Sequence, residues 1–131
     1  MKTPRLLVAE DNDLMRWSLL ELLCERHQIV DAVSNGQQLV HSAESLLPDA
    51  IVTDIFMPRM DGLSARSELL ARNLAIPFIF VSALGKEVVE LVPSDAPVGF
   101  VYKVEISNHL LEAVAAVLRG QRYLSPYYKD P

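Results

Sequence analysis

Four short apolar runs each end in a side chain able to do chemistry. Arg5-Leu6-Leu7-Val8-Ala9 ends in the acidic pair Glu10-Asp11, and Ala50-Ile51-Val52-Thr53 ends in Asp54. Two later runs end in Ser82 and in Lys103. A run of β-branched and aliphatic residues bounded by proline or glycine reads as a buried strand, so acid, acid, hydroxyl and amine all stand at strand ends. If Glu10, Asp11 and Asp54 share one cleft, each like-charged pair costs about 4 kcal/mol at 4 Å and an effective dielectric near 20. A divalent cation relieves that repulsion. A few carboxylates with positions left for water suit Mg²⁺, which usually meets one or two carboxylates plus a phosphate. Lys103 supplies a point charge for phosphoryl oxygens, and Ser82 a hydroxyl for another. The set describes an aspartate nucleophile that takes a phosphoryl group, with Mg²⁺ and Lys103 neutralising charge at transfer.

Helix-length segments separate the strand-like runs at 5–9, 28–33, 50–53, 77–81 and 98–102. Asp13 is placed to cap a helix reaching about Arg26, and Ser34 with Gln37 forms a capping box for one reaching Leu47. A third helix is expected over 63–72, and a last one from Ser107 to about Arg119, stopped by Gly120. Between them, Lys86 to Val92 allows two turns before Pro93 and Pro97, so the fourth helix is expected to be short or irregular. The alternation predicts a doubly wound α/β domain with a parallel sheet. In the order 2-1-3-4-5, strands one and three flank the point where strand order reverses, which brings Glu10, Asp11 and Asp54 together.

The 131 residues fit one domain able to bury a core. Twelve Lys and Arg against 17 Asp and Glu give a net charge of -5, which leaves no basic surface to bind nucleic acid by counterion release. No apolar run approaches a signal-peptide core or a membrane span, so a soluble, cytoplasmic protein without membrane contact is expected. Cys24 has no partner at metal or disulfide spacing and reads as a packing residue. His27, His41 and His109 form no phosphodonor site, so the phosphoryl group is expected from another protein.

In its motifs and their order the chain resembles a two-component response-regulator receiver domain over about residues 5–119. Glu10-Asp11 matches the family's acidic pair, Asp54 its phosphoacceptor, and Met57-Pro58 with Asp61-Gly62 its following loop. Ser82-Ala83 matches its Ser/Thr-Ala pair, and Lys103 its lysine at the end of the fifth strand. The resemblance implies a flavodoxin-like (CheY-like) (βα)5 fold, a sensor histidine kinase as donor, and a switch relayed through Ser82 and Phe100. It further implies that the backbone carbonyl of Phe56 joins Glu10, Asp11 and Asp54 as a Mg²⁺ ligand. The segment Gly99-Phe100-Val101-Tyr102-Lys103 and the tail Leu118 to Pro126 resemble LuxR/NarL-type regulators. That likeness implies a receiver over 1–119 and, over 120–131, the start of a linker to a helix-turn-helix output domain that these residues do not contain. DNA contact would come through that domain alone.

Two departures bear on the switch. Val104 stands where many receivers have a proline preceded by a cis bond, and a cis bond before a non-proline costs about 2.5–4 kcal/mol. Phe56 and Leu84, two residues after Asp54 and Ser82, are bulky and apolar and cannot orient a hydrolytic water, which predicts slow self-dephosphorylation. The first and fifth helical segments are apolar around much of their circumference, so Trp17, Leu111, Val114 and Leu118 are candidates for a homodimer surface. An aspartate-nucleophile phosphatase would want a second Asp where Phe56 stands, and a phosphate-independent interaction module would not need the complete acidic set. A nucleotide-binding enzyme would need a Gly-rich loop after the first strand, which is absent.

Overall fold

The computed structural model describes residues 2–129. Five parallel strands take the expected order: β1 (Arg5–Ala9), β2 (Gln28–Val33), β3 (Ala50–Asp54), β4 (Phe78–Ser82) and β5 (Gly99–Tyr102). A sixth, β6 (Tyr123–Leu124), extends the sheet to β2-β1-β3-β4-β5-β6. Side chains alternate strictly across β1, β3 and β4. Leu7, Ile51, Phe78 and Phe80 enter one buried cluster; Leu6, Val8, Val52, Ile79 and Val81 enter the other. Burial on both faces is why these strands read as continuous apolar runs.

Helix α1 (Asp13–Leu23) and helix α4 (Ile106–Leu118) cover one face. Helices α2 (Gly36–Leu46) and α3 (Gly62–Ala71) cover the other. The caps correct the sequence reading by one residue. Asn12, not Asp13, accepts the Met15 N–H, and Asn35 accepts the Gln38 N–H. The returning arm of the second cap is Gln38 rather than Gln37, because its Oε1 receives both the N–H and the hydroxyl of Ser34. In each case two adjacent residues were competent caps, and the cap is the one that directly precedes the first helical residue.

The expected fourth helix is a six-residue 3-10 helix, Lys86–Leu91, followed by an irregular stretch. After β5 the chain makes a 3-10 turn, Lys103–Glu105, and runs directly into α4. The Lys103–Val104 bond is trans, as no described peptide bond is cis. Gly120, at φ 81°, ends α4 in a Schellman arrangement: its N–H bonds to the Val117 carbonyl and the Gln121 N–H to that of Ala116. The chain then turns back to form β6 and a last turn of helix, α5 (Pro126–Lys129).

Two sequence-based placements change. Cys24 is exposed at the end of α1 and does not pack in the core. Val114 is wholly buried against the sheet and cannot belong to an outward dimer surface, because α4 contacts both the sheet and α1 and so buries a broad arc. Leu111 and Leu118 are partly buried against the same cluster. Leu14 and Trp17 remain as outward apolar residues of α1. No helix of the described residues is long and apolar enough to cross a membrane.

Candidate functional site

β1 and β3 are hydrogen-bonded neighbours, with Ala9 opposite Thr53, so the residues after them emerge side by side. One carboxylate oxygen from each of Glu10, Asp11 and Asp54 lies within 4.8 Å of the others. Lys103, at the end of β5, reaches across β4 to this group. Its ammonium is 3.0 Å from Asp54 Oδ2 and 3.3 Å from Glu10 Oε1.

The loop after β3 holds Asp54 in place. Asp54 Oδ1 accepts the Ile55 N–H at 2.7 Å, and the Thr53 hydroxyl donates to the Asp54 carbonyl at 2.8 Å. Gly62 is packed so closely that a Cβ there would stand 2.3 Å from the Asp54 carbonyl oxygen. Any other residue would push α3 off the strand end or displace Asp54. Arg59 and Met60 take positive φ, 61° and 133°, as the loop turns back toward that glycine. Backbone held in such sparsely populated conformations persists only where the surrounding packing fixes it.

Glu10 is fully buried. Its Oε2 accepts the Asn12 N–H at 3.1 Å, whereas Oε1 makes no hydrogen bond and pairs with the Lys103 ammonium. A buried carboxylate oxygen with one ammonium beside it and no hydrogen bond keeps acceptor capacity unused, which a second cation would take up. Burial pushes the Glu10 carboxyl up to about 6. The Asn12 N–H opposes that rise; the Asp54 charge adds to it and Lys103 subtracts. For Lys103, burial pulls the ammonium down, but the bond to Asp54 and the charges of Asp54 and Glu10 outweigh it, so its pKa is raised. A hard, oxygen-seeking divalent ion fits this donor set of three carboxylates, in which one Glu10 oxygen makes no hydrogen bond and Asp11 is exposed to solvent.

Ser82 and Phe100 lie on the other side of Asp54. Ser82 ends β4, the strand that pairs with β3, and is completely buried. Its hydroxyl accepts the Leu84 N–H at 2.9 Å and makes no bond to Asp54. Phe100, also fully buried, stacks on Phe80 with ring centroids 5.4 Å apart. Leu14, Phe56 and Val104 follow β1, β3 and β5 at the carboxylate end of the sheet, with 74%, 66% and 83% of their surfaces exposed.

Three residues of the site were not singled out in the sequence. Arg16 donates to the Glu10 carbonyl at 2.8 Å and pairs with Asp13, tying the acidic loop to α1. Its only signal was a position one helical turn after Asp13. Tyr128 and Arg122 come from the tail and pack on Phe100. The adjacent aromatics Tyr127-Tyr128, close behind Tyr123-Leu124, were the available hint.

A family model described as "Response regulator receiver domain" matches residues 6–115. The chain is 33% identical over 112 residues to the transcriptional regulatory protein PdtaR of Mycobacterium tuberculosis, covering 84% of this chain and 54% of that protein. It is 29% identical over 126 residues to the response regulator GacA of Pseudomonas viridiflava, covering 93% and 58%. The chain thus spans a little over half the length of these relatives. The fold also superposes on a two-component response regulator of the LuxR family from Aurantimonas sp. SI85-9A1. That match has a TM-score of 0.87 and 21% identity, over 98% of this chain and 94% of the other.

Proposed function

The chain belongs to the response-regulator receiver family, and from that membership we propose that Asp54 accepts a phosphoryl group from the phosphohistidine of a partner sensor kinase. One observation carries the reading: Lys103 bonds Asp54 at the mouth of a three-carboxylate cluster in which a buried Glu10 oxygen lacks a hydrogen bond. In the reaction an Asp54 carboxylate oxygen attacks phosphorus, the P–N bond of the donor breaks, and its electron pair returns to the imidazole nitrogen. Mg²⁺ held by Glu10, Asp11, Asp54 and the Phe56 carbonyl would neutralise charge on the phosphoryl oxygens. The Lys103 ammonium moves from Asp54 Oδ2 to a phosphoryl oxygen, which keeps its charge partnered throughout. The Ile55 N–H keeps Asp54 aimed. Ser82 turns its hydroxyl to another phosphoryl oxygen, and Phe100 relays the change.

The chemistry is one of storage rather than turnover. Phe56, two residues past Asp54, offers no acid, base or amide to a hydrolytic water, so the aspartyl phosphate is lost slowly. The same residue argues against a phosphatase, which would need a proton donor there. Leu84, partly buried above Ser82, adds apolar cover.

The kinase is the expected partner, and exposed Leu14, Phe56 and Val104 around the acidic mouth suit an apolar helical surface. Self-association through α1 is a second partner reading, now centred on Leu14 and Trp17. The output is proposed to be a LuxR-type DNA-binding domain outside these residues, on the strength of the tail and of the chain's partial span of its relatives. Incubation with Mg²⁺ and a small phosphodonor tests the reading: the parent should gain the mass of one phosphoryl group and Asp54→Ala none.

A further inference from the structure

Residues 122–129 bind the side of the domain where the switch residues lie, and they do so through contacts that converge on Ser82 and Phe100. The Tyr128 hydroxyl donates to the Leu84 carbonyl at 3.0 Å, while the N–H of the same Leu84 donates to Ser82 Oγ at 2.9 Å. One residue, Leu84, therefore joins the phosphate-binding hydroxyl to the tail. Burial pushes the Tyr128 phenol up, and the nearby Ser82 hydroxyl pulls it part of the way back.

The tail also covers Phe100. The Tyr128 ring meets it edge-on at 6.1 Å, and the Arg122 guanidinium lies 5.7 Å from its centroid. Phe100 is fully buried in this arrangement, so any outward swing requires Tyr128 and Arg122 to move first.

The same residues hold the short 3-10 helix. Arg122 donates to the carbonyls of Val89 at 3.2 Å and Pro93 at 2.9 Å, and Lys86 stands 5.5 Å over the Tyr127 ring. On the opposite side Tyr127 stacks on Tyr102 at 3.9 Å and gives its N–H to Glu105 at 3.1 Å. Ser125 anchors the base of the segment: its N–H bonds to the Phe100 carbonyl, and its hydroxyl accepts the Tyr102 N–H. A short helix leaves its last carbonyls without partners, and Arg122 satisfies that of Val89 and, just past the helix, that of Pro93.

We propose that residues 122–129 form a latch, closed over Phe100 and Leu84 in the unphosphorylated chain and released when Asp54 is phosphorylated. The inference rests on Asp54 being the phosphoacceptor. Turning Ser82 Oγ onto a phosphoryl oxygen draws it away from the Leu84 N–H and shifts Leu84, whose carbonyl is the Tyr128 acceptor. The bonds involved are individually modest, so a differential of ordinary allosteric size is enough to open them. The tail that leads out of the domain would then carry the signal directly, in place of a full fourth helix.

Amide hydrogen exchange on the whole chain, with Mg²⁺ and with or without beryllofluoride as phosphoryl mimic, tests the latch, while the ¹⁹F spectrum reports loading of the site separately. Loading is expected to lower protection of the 122–129 amides by about tenfold or more. Tyr128→Phe, which keeps the ring, and Arg122→Gln are expected to lower it without loading. Both variants are also expected to bind beryllofluoride about fivefold more tightly, since coupling is reciprocal. A loaded site with unchanged exchange at 122–129, or variants with parental affinity, overturns the latch alone. Absence of loading overturns the phosphoacceptor reading and the latch with it.

Discussion

The Lys103 ammonium lies 3.0 Å from Asp54 Oδ2, although the two are 49 positions apart in sequence and β4 lies between their strands in the sheet. The same nitrogen stands 3.3 Å from the one Glu10 oxygen that has no hydrogen bond. The cation thus rests on the two carboxylates it would have to leave, or share, when a phosphoryl group arrives.

Removing that cation should slow transfer more than it slows metal binding. Lys103→Ala is expected to lower the Mg²⁺-dependent rate of phosphorylation by acetyl phosphate by about 100-fold, the usual cost of losing one preorganised charge at a transition state. Lys103→Arg should recover only part of this, because a planar fork does not replace a compact ammonium. Rates within twofold of the parent would remove Lys103 from the chemistry.

Glu10 makes stability depend on pH in a defined direction. Its pKa is raised from 4.5 to about 6, so the folded chain holds this proton more tightly than the unfolded chain. The contribution is fully present below the unfolded pKa and is lost as pH rises through about 6. At roughly 1.4 kcal/mol for each pKa unit it comes to about 2 kcal/mol. Urea unfolding of the metal-free protein should therefore lose about 2 kcal/mol more between pH 4 and pH 7 than the Glu10→Gln variant loses, and Mg²⁺ should restore it at pH 7. Identical pH dependence in parent and variant would show that Glu10 is not the source.

The lifetime of the phosphoryl group should answer to Phe56. This side chain is 66% exposed beside Asp54 and can neither donate nor accept a proton. Phe56→Asn places an amide there and is expected to speed loss of the phosphoryl group by about tenfold, less than the roughly 100-fold or more of a positioned acid or base, because an amide only orients the water. Equal half-lives by intact mass would show that water is controlled elsewhere.

Self-association through α1 should depend on Trp17, which is 60% exposed. Light scattering of the phosphorylated parent is expected to give a dimer, and of Trp17→Glu a monomer. Equal monomeric masses would rule out this surface.

The strands were legible because Leu6–Ala9, Ile51–Val52 and Phe78–Val81 are buried on both faces of the sheet, which forces continuous apolar runs. Asp54, Glu10, Asp11 and Lys103 were legible for a related reason. Each directly follows or ends such a run, so topology alone brings them together. The caps were harder, since Asn12-Asp13 and Ser34-Asn35 both offer two competent residues and only backbone geometry decides between them. Val114 was misplaced because an apolar helix does not reveal which arc it buries; its exposure is set by α1 and the sheet together. β6 left almost no trace. A two-residue strand has no period to detect, and Tyr123-Leu124 finds its partners only once β5 exists.

The central claim is that Asp54 carries the phosphoryl group. Incubation with Mg²⁺ and acetyl phosphate, followed by intact mass measurement of the parent and of Asp54→Ala, tests it directly. The parent should gain the mass of one phosphoryl group and show no gain when Mg²⁺ is chelated beforehand, and Asp54→Ala should gain nothing. A parent that gains no mass, or an Asp54→Ala variant that gains as much as the parent, would contradict it.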